Sequence, residues 1–219
     1  MFNINNTGGG KKRNTVPFPV STAVDNVLLH LVEPNENIPA IKFTFKRIED
    51  GVKITPGDAP VDTISFLTDS ILLPKKEYCP GGKLKDDGTI ETAEEHYAKE
   101  ERVFIGYIRN IATACGVTKE QLSEIPAVES FDQFANEFCK VVNKYKSTDP
   151  VYLKTVKDKA GYTKLPRYRG KGVIQPMTDG LPSFIYSDYE LKMIEAAGAT
   201  GVVEEEPIKI SSSSIDDLE

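Results

Sequence analysis

Sulfur, imidazole and long apolar runs are scarce in this chain, and each scarcity removes a class of chemistry. Three cysteines, Cys79, Cys115 and Cys139, make an odd number without CxxC spacing. That pattern argues against both a disulfide framework and a Cys-rich zinc site, so all three read as reduced thiols. His30 and His96 are the only histidines, and neither belongs to an HExxH or Cys-His cluster; both read as ordinary core or surface residues. No apolar run approaches the ~18 residues of a membrane span, and Met1 to Gly10 is polar and Gly-rich, without the apolar segment of a secretory signal. The expected compartment is the cytoplasm.

Catalytic signatures are missing as well. Gly8-Gly9-Gly10-Lys11 and Gly81-Gly82-Lys83 lack the GxxxxGK[ST] spacing of a phosphate loop, and no GxSxG nucleophile elbow occurs. Asp86-Asp87 and Glu94-Glu95 have no placed third carboxylate for a metal, and acids at a helix start are favoured electrostatically in any case. The reading is a non-enzyme with no cofactor and no metal.

What the chain has is an uneven distribution of charge. Its formal charge is −6, yet Asp188 to Glu219 carries nine acids against Lys192 and Lys209, a local −7, so the other 187 residues sum to +1. Within those, Val151 to Pro176 holds seven cations against Asp158 alone, a local +6. A basic segment and an acidic tail in one chain point to nucleic-acid contact by the first and an interaction role for the second.

Periodicity gives the organisation. Residues 1–20, with the Lys11-Lys12-Arg13 cluster and the Pro17-Phe18-Pro19 turn, read as a flexible arm that can clamp a backbone. Asp25 to Val32, Ile38 to Ile48 and Val61 to Leu67 carry the β signature, with Glu49-Asp50-Gly51 as a hairpin turn. From Thr92 the period changes to about 3.6. Phe104, Ile108, Ile111 and Ala112 form one helical stripe that stops at Gly116, and Phe131, Phe134, Phe138 and Val141 form a second that ends near Lys146. The β pattern returns at Val151, turns at Lys159-Ala160-Gly161 and pairs back over Tyr162 to Leu165; a last short helix spans about 188–197. Helices clustered between strands predict a mainly β, α+β fold, an OB-fold-like Greek-key barrel over 21–198 with a helical insertion at about 91–146. Residues 199–219 are too polar to fold and read as a disordered acidic tail.

The segment Tyr152 to Gly172 interleaves rings and cations. Single-stranded nucleic acid is held by aromatic faces on which bases stack and by cations that neutralise phosphates. Tyr152, Tyr162 and Tyr168 supply the first, and Lys154, Lys157, Lys159, Lys164, Arg167, Arg169 and Lys171 the second. In Ile41 to Arg47, only one face can line an interior; with the aromatic face inward, Lys42 and Lys46 point out toward a groove. The tail ends Ile215-Asp216-Asp217-Leu218-Glu219 after a serine spacer, a hydrophobic-acidic peptide suited to partner docking and to competing with phosphate.

This order of features, with the stretch DPVYLKTVKDKAGYTKLPRYRG from Asp149 to Gly170 and the terminal IDDLE, resembles the single-stranded DNA-binding proteins of tailed bacteriophages. The resemblance implies an OB-fold that coats DNA during replication, recombination or repair in the host cytoplasm, with the tail recruiting other replication proteins. The related bacterial tails close on an apolar residue, usually Phe, where this one closes on Leu218-Glu219, so a partner that reads a terminal aromatic is not implied. Alternative readings are a strand-annealing or recombination-mediator protein and a structural virion or scaffold protein.

Overall fold

The structure, a computed structural model, describes residues 14–21, 23–53, 59, 61–158, 160–166, 172–180, 182 and 184–196. It is an α+β fold. Its strands are β1 (Asn14–Thr15), β2 (Val24–Pro34), β3 (Ala40–Val52), β4 (Val61–Leu72), β5 (Val151–Leu153), β6 (Val156–Lys157), β7 (Thr163–Lys164) and β8 (Ile174–Pro176). The sheet order is β1-β4-β3-β2-β5-β8, with β6 and β7 as a separate hairpin. The five strands β4-β3-β2-β5-β8 pair antiparallel, and β1 adds a parallel edge to β4.

Alternation decides which face is core. Ile41, Phe43 and Phe45 are fully buried, whereas Lys42, Thr44 and Lys46 between them stay partly exposed. Val27, Leu29 and Val32 on β2, Leu67 on β4, and Val151 and Leu153 on β5 complete the buried face. Against it pack α1 (Ala93–Ala114) and α3 (Phe131–Tyr145), joined by the single turn α2 (Lys119–Leu122); α4 (Asp188–Ala196) lies near β6. Phe138 on α3 meets the Phe43 ring edge-on at 6.4 Å.

The helices start where their first residues satisfy orphan amides. Thr92 and Glu95 form a reciprocal capping box for α1, Thr118 and Gln121 form one for α2, and Ser130 caps α3. Helix α1 ends at Gly116, whose φ of +90° lets the Val117 N–H return to the Ala112 carbonyl. Across the core, the Asn143 carboxamide on α3 accepts from the Val32 N–H at 3.0 Å and donates to the Val32 carbonyl at 2.6 Å, next to the register shift between Leu29 and Leu31.

Three expectations need correction. Asp50-Gly51 is a bulge and not a hairpin turn: β3 continues to Val52, one extra residue lies between the Glu49 and Val52 pairings, and Gly51 takes φ +71°. Residues 14–20 are part of the folded body, because Phe18 is buried and the Phe18 and Pro19 carbonyls accept from the Thr163 and Thr155 hydroxyls. Lys11 to Arg13 lie outside the described residues. The sheet is also open among those residues, with β1 and β8 at its edges, where a closed barrel was expected. Strand β7 comes alongside β4, but the Leu165 N–H, which a closing ladder would use, donates to the Asp69 carboxylate at 3.0 Å.

Candidate nucleic-acid interface

Because the helices cover one face of the sheet, the other is left to solvent. Register places Lys46 between Leu28 and Phe66, Thr44 between Leu31 and Thr68, and Lys42 between Glu33 and Ser70. Strand β4 inverts the usual sorting on these faces. Thr63, Ser65 and Asp69 are buried, while the Phe66 ring is 44% exposed and meets the edge of His30 at 5.8 Å.

The hairpin β6–β7 adds the second wall. Asp158 builds its turn, accepting from the Ala160 N–H at 3.0 Å and the Tyr162 N–H at 2.9 Å, and Gly161 takes φ +87°. The turn lifts Tyr162 into solvent, 68% exposed. Tyr162, Thr163 and Lys164 line a cleft of about 360 Å³ together with Phe66, Leu67, Thr68 and Phe18.

The cations in this region differ in availability. Lys164 pairs with Asp158 at 2.6 Å, and its hydrogen bond, with that of the Tyr162 amide, holds the Asp158 carboxyl below its ordinary range. Lys42 pairs with Glu33 at 3.1 Å. Lys46 and Lys157 have no carboxylate partner among the described residues, and both are half-buried. Tyr152 is half-buried opposite Gln175, pointing away from the core-facing Val151 and Leu153.

Lys154 does not belong to this surface. It is fully buried, with its ammonium 2.8 Å from Glu190, 2.9 Å from the Ile185 carbonyl and 4.3 Å from the centre of the Tyr186 ring. A cation so enclosed holds α4 to the sheet and cannot meet a phosphate. Burial alone would raise the Glu190 carboxyl, but the bonds from Lys154 and from the Ser187 amide and hydroxyl outweigh it and hold the group below its usual range. Burial raises the neighbouring Tyr186 phenol well above its usual range.

Of the residues expected from the sequence, the fold therefore brings Tyr162 and Lys164 to the cleft and Lys46 beside its Phe66, with Lys42 and Tyr152 further along the outward face of the sheet; Lys157 pairs with Thr163 and so lies on the opposite face of the hairpin from Lys164. Lys159, Arg167, Tyr168, Arg169 and Lys171, and the tail residues Ile215, Asp216, Asp217, Leu218 and Glu219, lie outside the described residues. Sequence reasoning missed Phe66 and His30. The signal for Phe66 was present in the alternation of Thr63, Ser65, Leu67 and Asp69 against Ile64, Phe66 and Thr68, once Leu67 rather than Phe66 is taken as the core residue.

Among the described residues, no group of three or more His, Cys, Asp or Glu side chains is placed to hold a metal, and no helix is long and apolar enough to cross a membrane. The arrangement offers two exposed rings, cations and hydroxyls along an open sheet face, a set suited to stacking and phosphate neutralisation. Comparison with family models, curated proteins and solved structures finds no match to this chain.

Proposed function

We propose that the protein binds single-stranded DNA without sequence preference, through the outward face of β3 and β4 together with the β6–β7 hairpin. The observation that carries this reading is the cleft lined by the exposed Phe66 and Tyr162 together with Lys164, to which Lys46 stands adjacent as the cross-strand neighbour of Phe66. Bases stack on rings whatever their identity, and lysines follow the backbone, so neither contact reads sequence. Binding of this kind is stoichiometric, with no catalytic step.

The finer fold assignment belongs to the same proposal. The β2-β3-β4 meander, the helices, and then a segment in which β5 pairs with β2 and β7 lies against β4 follow the connectivity of an OB-type barrel whose ladder stops short of closure. In that layout the second and third strands and the last hairpin loop form the oligonucleotide surface, and here these correspond to β3, β4 and the turn bearing Tyr162. The resemblance to phage single-stranded DNA-binding proteins supports a coating role in replication, recombination or repair, with the acidic tail modulating binding and recruiting partners.

Fluorescence anisotropy with labelled oligonucleotides tests the proposal. Affinity should fall steeply with salt and exceed that for duplex of the same length, and Lys46→Gln should flatten the log–log salt slope by about 0.7. Salt-insensitive binding, or equal affinity for duplex, would overturn it.

A further inference from the structure

On the helical side of the molecule, away from the outward sheet face, a groove of about 1310 Å³ runs between α1 and the segment that leads through α2 into α3. Its floor is apolar: Ile105, Ile125, Val128, Phe131 and Phe134 are each only half-buried. Gly106 widens it, since a Cβ there would meet nothing within 4 Å. The rim is cationic. Arg102 and Arg109, two turns apart on α1, are exposed and make no ion pair among the described residues, and Lys119 stands in the same lining; Glu101 and Glu129 are its acids. An apolar trough edged by unpaired guanidinium groups fits an extended peptide that alternates apolar side chains with carboxylates.

The chain itself carries such a peptide. Ile215-Asp216-Asp217-Leu218-Glu219 places two apolar residues among three acids. Helix α4 ends at Ala196, which leaves 18 residues before Ile215. A linker of that length reaches ~60 Å extended and ~23 Å as a random coil, against a radius of gyration of ~17 Å for a compact chain of this size. We infer that the groove is the seat of this chain's own Ile215–Glu219 segment, with Ile215 and Leu218 on the Ile105, Val128 and Phe131 floor and the acids at Arg102 and Arg109. Seated there, the acids are held on the far side of the sheet from Lys46 and Phe66, so the segment is parked away from the oligonucleotide surface. A partner protein that takes up the segment must then compete with the groove.

Paramagnetic relaxation in the full chain tests this without DNA, so its outcome is independent of the DNA-binding proposal. Cys79, Cys115 and Cys139 are buried, and burial pushes the Cys115 and Cys139 thiols up to about 12, so a cysteine introduced by Ser213→Cys is the one that takes a nitroxide label. At low salt, amides of 102–109, 125 and 127–131 should lose most of their intensity. The loss should disappear at high salt, in Arg102→Glu/Arg109→Glu with an unchanged melting temperature, and in Asp216→Asn/Asp217→Asn, which leaves the folded body untouched. Broadening centred on Lys46, Phe66 and Tyr162, uniform weak broadening, or broadening seen only between a labelled chain and a separate isotope-enriched chain would each overturn the assignment.

Discussion

Phe66 and Tyr162 present their rings to solvent on two elements that meet only in the folded chain, and each should contribute to binding as a stacking platform. Replacement of either by Ala is expected to weaken oligonucleotide affinity by about 1–3 kcal/mol, roughly 5- to 150-fold, with the melting temperature nearly unchanged because neither ring is in the core. Anisotropy titrations paired with thermal melts check this, and a loss of folding without a loss of affinity would contradict it. Lys154 should behave in the opposite way. Removing its ammonium by Lys154→Ala leaves Glu190 buried beside Tyr186 with no counter-charge, at a cost of about 3–5 kcal/mol of stability, whereas Lys154→Met with Glu190→Leu should cost less, in denaturant melts. Because the Glu190 carboxyl is held below its ordinary value, its contribution is present above that value and lost as pH falls through the lower one. Glu190→Gln should therefore flatten the acid limb of the stability profile. Sequence composition counted Lys154 among seven equivalent cations, and only the distant Glu190 in α4 distinguishes it from them.

At the scale of elements, most of what local chemistry dictates was legible. The two apolar helical stripes, the start at Thr92, the glycine stop and the turn at Ala160-Gly161 all follow from short-range patterns that neighbouring residues complete by themselves. Asp50-Gly51 was misread because the same dipeptide serves a turn or a bulge, and the choice depends on whether a partner strand continues past it; here β4 does, to Val61. The α1 stop can be tested directly. In Gly116→Ala the new Cβ would sit 2.6 Å from the Ser147 Cβ, at a φ of +90°. The Ser147 N–H is bonded to the Cys115 carbonyl at 2.8 Å, so the neighbour is fixed in place. Destabilisation by more than about 1 kcal/mol is expected in chemical denaturation, while Gly106→Ala, which meets open space, should not show this clash.

For the molecule as a whole, local pattern does not distinguish an open sheet from a closed one. Closure depends on whether the Leu165 amide finds a backbone carbonyl or a side chain, and the Asp69 carboxylate that takes it lies 96 positions earlier. The outward surface was half legible for a similar reason: Lys46 follows from alternation within β3, but its placement beside Phe66 follows from register, and the approach of Tyr162 from a crossing of the chain. The carboxamide of Asn143 that grips both backbone groups of Val32 reaches across 111 positions. Such a tie cannot form until the intervening chain has paid its closure entropy, whereas β2, β3 and β4 zip from one adjacent turn to the next. Refolding should then proceed in two kinetic stages, with β3–β4 amides gaining protection from pulsed hydrogen exchange before those of Val151–Leu153 and Val32. Simultaneous protection of both sets would mean that the helices assemble as fast as the meander does.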